Sequence, residues 1–318
     1  MAASAHELHP SPKTCHWGVF DAKLPPVMEI SSGDRVTVHT ISGGADVTPG
    51  PDSGFTIPPE LTAVQREVPR PTVGGGHILT GPIAIRGAKP GDVLEVRILD
   101  VKPRMDWGYN IIRPLSGALP YDFTETTLIH IGIDIERNVA TMPWGKELPL
   151  KPFFGVMGVA PPPAWGTIST IQPRAHGGNL DNKELVAGAT LFLPVWAEGA
   201  LFSVGDGHGC QGDGEVCVSA IETGLTGTFE FVLHKDRSLT LPRAETPEAY
   251  ITMAFDVDLD EAARTALRRM LDLIQERTNL SREQAYTLCS LAADLRITQF
   301  VNQQNGVHCV LKKDMLHG

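Results

Sequence analysis

The chain has 318 residues, and its 27 Lys and Arg against 37 Asp and Glu give a net charge of -10 at pH 7. Nucleic acids and anionic membranes are excluded as main partners, because both require a basic surface and the sequence contains no cluster of Lys or Arg. No apolar stretch approaches the roughly 20 residues that span a bilayer. The first residues lack a basic segment followed by an apolar core, so the sequence predicts a cytoplasmic protein.

Short strands dominate the first three quarters of the sequence. Gly-Asp turns lead into alternating segments at residues 35–41 and 93–100. Four further strands are predicted at residues 190–196, 200–204, 215–222 and 227–233. No helix is predicted between residues 1 and 240. Many short strands separated by regular turns indicate a mainly β fold, as a β-sandwich, jelly roll or barrel.

The pattern changes after Pro242. Apolar residues at helical spacing predict one helix over residues 263–274, preceded by Asp258 or Asp260 as its N-cap. A second helix begins at a Ser281/Gln284 capping box and has an apolar face extending to Leu295. Asn305-Gly306 predicts the turn of a hairpin between residues 297–301 and 307–311. We therefore expect a β-rich body at residues 1–240 and a C-terminal α/β part at 241–318, packed as one compact unit.

The Gly-rich segment 205–215 is the strongest candidate site. Asp206 and His208 are two residues apart, so they share one face if the preceding strand continues through them. Glu215 joins them if the glycines turn the chain back into a further strand. Two carboxylates and an imidazole suit a divalent ion, which lowers the pKa of water. We predict that this ion is zinc, with calcium as the alternative. The alternative to a functional site is a Gly-rich hairpin loop whose Asp and Glu side chains are solvated.

The same segment matches the G-x-G-x-x-G spacing at residues 207–212. A dinucleotide site requires a helix after this motif, whereas residues 215–221 resemble a strand, so that function is excluded. The five cysteines are odd in number, widely spaced and without a C-x-x-C pair, which predicts free thiols. Cys210 is expected to lie beside the substrate without acting as a nucleophile.

Two other Gly-rich turns contain candidate ligands. Residues 74–77 end at His77, and residues 176–181 contain His176, Gly178 and Asn179. Each turn alone resembles an ordinary polar loop. Together with the 205–215 segment they could surround one cleft, with His77 and His176 as further metal ligands and Gly178 and Asn179 as amide-binding groups.

The sequence resembles the acetamidase/formamidase family of amide hydrolases over nearly its whole length. The resemblance lies in residues 16–26, 79–92, 152–161, 177–181, 193–195 and 205–215, and in the C-terminal helices. It implies a β-sandwich of jelly-roll type with an appended α/β part. It also implies metal-assisted hydrolysis of short amides to a carboxylate and ammonia.

The family's motifs can be transferred to individual residues. Asp206 and His208 match Gly-Asp-x-His and are expected to ligate the metal, with His77 as a third ligand. Asp213 and Glu215 match Gly-Asp-Gly-Glu, which implies catalytic roles, with Glu215 as general base and proton shuttle. The sequence departs from the family pattern at Gly209-Cys210, where small residues are usual, and at residues 42–44, where an acidic residue is expected.

We therefore expect a metal-dependent hydrolase of short-chain amides of the formamide and acetamide type. Two alternatives stay open. The first is a hydrolase of a cyclic amide, imide or carbamoyl compound at the same site. The second is a non-enzymatic β-sandwich that binds a cation or carbohydrate, because fold does not imply function. A small amide is the expected partner, and a homo-oligomer, dimeric or larger, is expected from the size of the chain.

Overall fold

The computed structural model describes residues 3–316, and its elements are mostly β-strands. In chain order these are β1 Ala5–Leu8, β2 Cys15–Trp17, β3 Val19–Phe20, β4 Met28–Ile30, β5 Arg35–His39, α1 Pro59–Glu67, β6 Ile78–Ile85, β7 Val93–Pro103, β8 Trp107–Ile112, β9 Thr127–Asp134, β10 Val139–Thr141, β11 Glu147–Pro149, β12 Phe153–Gly158, β13 Ile168–Ser169, β14 Gly177–Asn179, β15 Thr190–Pro194, β16 Phe202–His208, β17 Glu222–Thr223, β18 Leu225–His234, β19 Arg243–Glu245, β20 Ala249–Asp256, α2 Leu259–Arg277, α3 Arg282–Ala292, β21 Ala293–Gln299 and β22 Asn305–Lys312.

Two large sheets form the body. The first has the strand order β1-β5-β18-β7-β15-β19-β20-β22-β21. The second runs β11-β10-β9-β8-β17-β16-β12-β14, with β6 also paired to β16 and with β2 and β4 paired to β6. Apolar side chains of both sheets share one core, in which Phe229 and Phe231 of the first meet Phe154 and Phe202 of the second. This confirms the predicted mainly β class and its sandwich packing.

One predicted strand is wrong, and it lies next to the candidate site. Residues 215–221 form an irregular segment of turns and bends, and β17 begins only at Glu222. Glu215 and Val218 have φ values of 46° and 71°, so neither adopts the extended backbone that a strand requires. The amide of Val218 donates to the Glu215 carbonyl, which closes a turn. The β-branched residues here therefore follow the turn and not their strand propensity.

The sequence also did not predict helix α1, which the structure contains at Pro59–Glu67. It has nine residues and starts with a proline at its first position, where the missing N–H carries no cost. Only Leu61 and Val64 of this helix are buried. Two apolar positions are too few to give a detectable helical period, which explains why the sequence did not indicate it.

The N-caps of the two C-terminal helices are the residues that the sequence predicted. The Asp258 side chain accepts from the amides of Asp260 and Glu261, and the capping box of Ser281 is complete. The second helix ends at Ala292, so Leu295 belongs to β21 instead of a helical face. None of the helices within residues 3–316 is both long and apolar enough to cross a membrane.

The predicted hairpin exists as β21 and β22, but its turn is displaced. Residues 300–304 connect the strands, whereas Asn305 and Gly306 already belong to β22 and pair with Asp256 and Phe255 of β20. The strands β19 to β22 extend the first sheet, so the segment after residue 240 is hydrogen-bonded to the body through β19 and β15.

Candidate active site

The strand β16 positions the first part of the site. Asp206 and His208 are two residues apart on this strand, and both are buried. Asp206 Oδ2 lies 3.3 Å from His208 Nε2. The structure therefore brings these two predicted ligands together. Asp206 has a φ of 56°, a backbone conformation that non-glycine residues rarely adopt and that is common at functional sites.

The neighbouring strand β17 supplies a carboxylate that the sequence reasoning missed. Glu222 pairs directly with His208 across β16 and β17, so their side chains share a face. Glu222 Oε2 lies 3.3 Å from His208 Nε2, while its other oxygen accepts from the Ala220 amide at 2.8 Å. In the strand predicted over residues 215–222, Glu222 lies at the far end from Glu215, and this placement conceals its pairing with His208.

Two further carboxyl groups complete the floor of the site. Asp181 Oδ1 lies 4.0 Å from His208 Nε2, and Asp181 Oδ2 accepts from Asn302 Nδ2 at 2.7 Å. Asn302 Nδ2 is also 3.4 Å from Glu215 Oε2. Asp181 and Glu215 share a φ of 46°. Glu215 was predicted here, whereas Asp181 was part of the Gly-rich turn at 176–181 and of a family motif but was given no role. Asn302 comes from the β21–β22 turn, more than 80 residues from Glu215 in sequence.

The titration of these groups is dominated by burial and by their mutual charge. Burial raises the pKa of Glu215 to about 8, assisted by the charges of Glu222 and Asp206. Burial likewise raises the pKa of Asp181 well above its ordinary value, and it raises the pKa of Glu222. The cluster therefore favours added positive charge, whether as protons or as a metal ion.

The pKa values of two groups in the cluster shift in the direction opposite to the one that burial alone would cause. Burial alone would lower the pKa of His208, but the charges of Glu222 and Asp206 outweigh it and raise the pKa well above 6.5. Burial alone would raise the pKa of Asp206, but the nearby imidazoles of His77 and His208 hold it below its ordinary value.

The cluster fits a bound cation. Within the described part of the chain, Asp181 Oδ1, His208 Nε2 and Glu222 Oε2 are buried without any hydrogen-bond partner. The cluster contains two overlapping groups of potential ligands, in each of which the ligand atoms lie within 4.8 Å of one another. The first is Asp181, His208 and Glu215, and the second is Asp206, His208 and Glu222. Gly155 leaves room at the same point, because a Cβ there would lie 2.6 Å from Asp181 Oδ1 and 2.7 Å from Asp206 Oδ2. Carboxylate oxygens with one imidazole form a donor set that suits zinc.

The two remaining candidate histidines have different positions. His77 Nε2 lies 3.7 Å from Asp206 Oδ2, and its Nδ1 is 2.8 Å from Thr170 Oγ1, which orients the ring at the edge of the cluster. His176 is fully buried against Phe20, outside both groups of candidate ligands. Burial lowers its pKa to about 3, so it stays neutral in the core.

Two other predicted residues lie outside the cluster. Asp213 is exposed, and its carboxylate forms an ion pair with Lys183 at 2.9 Å. Cys210 packs against a small apolar cluster that includes Leu150 and Ile221, and burial raises the pKa of its thiol. The structure therefore does not bring the predicted catalytic Asp213 or the predicted substrate contact Cys210 to the other site residues.

A cleft of about 840 Å³ opens above the cluster, and we call it the active-site cleft. It is lined among others by Ser42, Asp46, Arg70, His77, Tyr109, Arg113, Asn179, Asp206, Glu215, Glu222 and Asn302. The predicted Asn179 thus faces the cleft, and its buried Oδ1 finds no hydrogen-bond partner within residues 3–316. Gly178 lies behind this wall with a φ of 84°, paired to Met157 of β12.

Comparison with known proteins identifies the family of the chain. The model of the acetamidase/formamidase family matches residues 13–167 and 164–315. The acetamidase of Mycolicibacterium smegmatis is 30% identical over 207 residues, covering 46% of this chain and 51% of that protein. The formamidase of Methylophilus methylotrophus is 30% identical over 191 residues, covering 44% and 47% respectively, so the matches span about half the length of these curated relatives. A crystal structure of a predicted acetamidase/formamidase from Thermoanaerobacter tengcongensis superimposes with a TM-score of 0.85 at 28% identity, over 99% of this chain and 98% of that chain. The chain belongs to the acetamidase/formamidase family.

Proposed function

We propose that this protein is a metal-dependent amidase that cleaves the C–N bond of short-chain aliphatic amides to a carboxylate and ammonia. Family membership supports amide hydrolysis. The observation that carries the metal dependence is the cluster at the floor of the cleft, where three buried polar atoms of Asp181, His208 and Glu222 lack hydrogen-bond partners in the described structure. Unpaired buried charge is costly, and a cation that binds these atoms removes that cost.

In this proposal Asp181, Asp206, His208 and Glu222 hold the cation, with His77 next to Asp206. Zinc fits better than calcium, because calcium prefers six to eight oxygen ligands and His208 contributes a nitrogen. When bound, the cation supplies Lewis acidity, which polarises a carbonyl group and lowers the pKa of water.

Glu215 is the proposed general base and proton shuttle. Its side chain lines the cleft, and burial raises its pKa to about 8 in the cation-free cluster, while the charge of a bound cation lowers the pKa from that value. A carboxyl group with a pKa near the working pH can both accept and release a proton. Glu215 takes the proton of the attacking water and delivers it to the nitrogen as the C–N bond breaks. Amide and water thereby become a carboxylic acid and ammonia, which exchange a proton to give carboxylate and ammonium, without any other reactant.

Asn179 is the proposed contact for the amide group. Asn179 lines the cleft, and its Nδ2 donates to the Ile171 carbonyl at 3.1 Å, which fixes the side chain. Its Oδ1 is buried and has no hydrogen-bond partner within residues 3–316. A substrate NH₂ group that reaches this buried oxygen would supply its missing hydrogen bond. A substrate that lacks this NH₂ group leaves Asn179 unpaired, which selects for primary amides.

Ammonia release from the purified protein tests the proposal, with formamide, acetamide, propionamide and a cyclic imide as substrates and with metal content measured in parallel. We expect turnover of the linear amides that is lost when a chelator removes the ion and restored by zinc. Turnover that persists after the ion has demonstrably been removed would exclude the metal from catalysis. Turnover of the cyclic imide alone would favour the cyclic alternative. A bound ion without turnover of any amide would favour a binding protein.

A further inference from the structure

The active-site cleft is much larger than a short amide requires. Its volume of about 840 Å³ falls within the range of about 300 to 1,000 Å³ that is typical of sites for drug-sized ligands. Formamide or acetamide at the cluster would fill a small part of it. The remaining walls are therefore available to bind another part of a longer substrate.

The charges of the cleft are unequally distributed. Its floor carries Asp206, Glu215 and Glu222, whereas two arginines, Arg70 and Arg113, lie on its walls. Arg113 already has a partner, because its Nη2 lies 3.3 Å from Asp46 Oδ2. Arg70 forms no salt bridge and no side-chain hydrogen bond with any residue from 3 to 316, so its guanidinium is the free positive charge of this cleft within the described structure.

The free guanidinium is held in place. It lies over the ring of Trp17, with 5.5 Å between the guanidinium carbon and the ring centroid. Trp17 is itself buried, and its Nε1 donates to the Gly76 carbonyl at 3.1 Å. A stacked guanidinium loses less conformational entropy on binding a ligand than a freely moving one, so Arg70 is preorganised.

Two glycines leave the guanidinium open to the cleft. A Cβ at Gly44 would lie 3.8 Å from Arg70 Nη1 and 2.5 Å from Asp46 Oδ1, so the carboxylate that pairs with Arg113 borders the same space. A Cβ at Gly76 would lie 3.9 Å from Arg70 Nη2. Larger side chains at these positions would cover both nitrogens. Gly76, which lies beside Arg70, directly precedes His77, and His77 Nε2 is 3.7 Å from Asp206 Oδ2 on the floor. The segment Gly76-His77 therefore connects the position of Arg70 to the floor of the cleft.

We propose that Arg70 forms an anion subsite that binds a carboxylate of the substrate, and that the preferred substrates are monoamides of short dicarboxylic acids. The inference rests on the proposed amidase function. The guanidinium presents two parallel N–H donors, which match the geometry of a carboxylate. The proposed amidase function places the amide at the cation-binding cluster, so the carboxylate of such a substrate lies toward Arg70.

The test compares pairs of amides that differ in one terminal group. Succinamate is paired with butyramide and glutaramate with valeramide, and kcat/KM is measured for each with the cation bound. A charge-assisted hydrogen bond to a carboxylate corresponds to a preference of about 10- to 100-fold. We expect at least one pair to show this preference, and we expect Arg70→Gln to reduce the ratio of the pair to near one.

Two control variants accompany the measurement. Arg70→Lys keeps the charge but loses the bidentate geometry, so it should retain part of the preference. Arg66→Gln removes another exposed arginine four residues away, which pairs with Glu67 and does not line the cleft, and it should leave the ratio unchanged. Binding of glutarate by calorimetry gives a readout independent of turnover, and Arg70→Gln should weaken this binding at least about tenfold.

The outcomes separate this inference from the function on which it rests. Ratios near one in every pair, or a preference that Arg70→Gln leaves intact, would overturn the anion subsite while the amidase function stands. If no amide is turned over by the cation-loaded protein, the amidase function itself fails and the inference fails with it. If Arg70→Gln abolishes turnover of both members of a pair, unchanged glutarate binding would overturn the subsite and weakened binding would support it.

Discussion

His208 and Glu222 lie directly opposite each other on neighbouring strands, with 3.3 Å between His208 Nε2 and Glu222 Oε2. Neither atom has a hydrogen-bond partner among residues 3–316. Strand pairing thus fixes two ligand atoms on one face of the sheet, and Asp206 adds a third from the same strand as His208. A site built on paired strands holds its ligands more rigidly than one built on loops.

Glu222→Gln should therefore weaken cation binding. The substitution preserves the shape of the side chain but removes its negative charge. We expect affinity for zinc to fall at least about tenfold, with a corresponding loss of amide turnover. Metal content after dialysis against a competing chelator measures the first effect, and ammonia release measures the second. Glu147→Gln, on the exposed strand β11, is the matched control. Full zinc retention in Glu222→Gln would show that Glu222 is not a ligand.

Gly155→Ala should block the same position sterically. A Cβ on Gly155 would lie 2.6 Å from Asp181 Oδ1 and 2.7 Å from His208 Cε1, closer than real Cβ contacts. Gly155 does not have a positive φ, so the backbone itself accepts alanine. We expect a folded protein that has lost most of its bound cation and its activity, as seen by metal analysis together with circular dichroism.

Gly212→Ala is the control for this prediction. Gly212 also lacks a positive φ, and a Cβ there meets nothing within 4 Å. This variant should keep its metal content and turnover. If Gly155→Ala retains the cation as well as Gly212→Ala does, the cradle between Asp181 and His208 does not hold the ion.

Asp213 and Glu215 provide a matched pair of substitutions two residues apart. Glu215 lies buried in the cluster, whereas Asp213 is exposed and pairs with Lys183. Loss of a general base typically lowers the rate by about 10² to 10⁴. We expect Glu215→Gln to lower kcat by this amount and Asp213→Asn to have little effect on it. Steady-state ammonia release measures both effects. A large loss of kcat in Asp213→Asn with little loss in Glu215→Gln would show that Asp213 has the catalytic role that the family motif implies for it.

The part of the site that the sequence predicted is local in the chain. Asp206 and His208 follow from the alternation of a single strand, which is a short-range pattern. Glu222 and Asp181 could not be found in the same way, because their approach to His208 depends on the strand register and on a loop held by Asn302. Register and long-range loop packing are tertiary properties that a periodic pattern does not specify.

Backbone conformation sets a second limit on what the sequence could show. Asp181, Asp206 and Glu215 all have φ values between 46° and 56°. Sequence patterns predict such conformations for glycine, and these residues are acidic. The same limit explains the wrong strand at 215–222, since Glu215 turns the chain where its neighbours have strand propensity. The mainly β class and both C-terminal helices were predicted, because periodicity and capping residues are local signals.

The stability of the protein should depend on pH in a specific direction once the cation has been removed. Glu215 has a folded-state pKa of about 8 against an ordinary value of 4.5. Below pH 4.5 both the folded and the unfolded states hold the proton, and the stabilising contribution is complete. Between pH 4.5 and 8 only the folded state holds it, so the free energy of unfolding falls by roughly 1.4 kcal/mol per pH unit for this group. Above pH 8 the contribution is lost.

The raised pKa values of Asp181, Glu222 and His208 act in the same direction. Urea unfolding of the chelator-treated protein at pH 6, 7 and 8 measures the effect, and the cation-loaded protein serves as reference, because groups elsewhere in the chain contribute equally to both. We expect the stabilisation by the cation to grow from pH 6 to pH 8. Glu215→Gln removes one titrating group, so its cation-free form should lose stability less steeply. An equal slope in this variant would show that Glu215 does not hold a proton in the cation-free cluster.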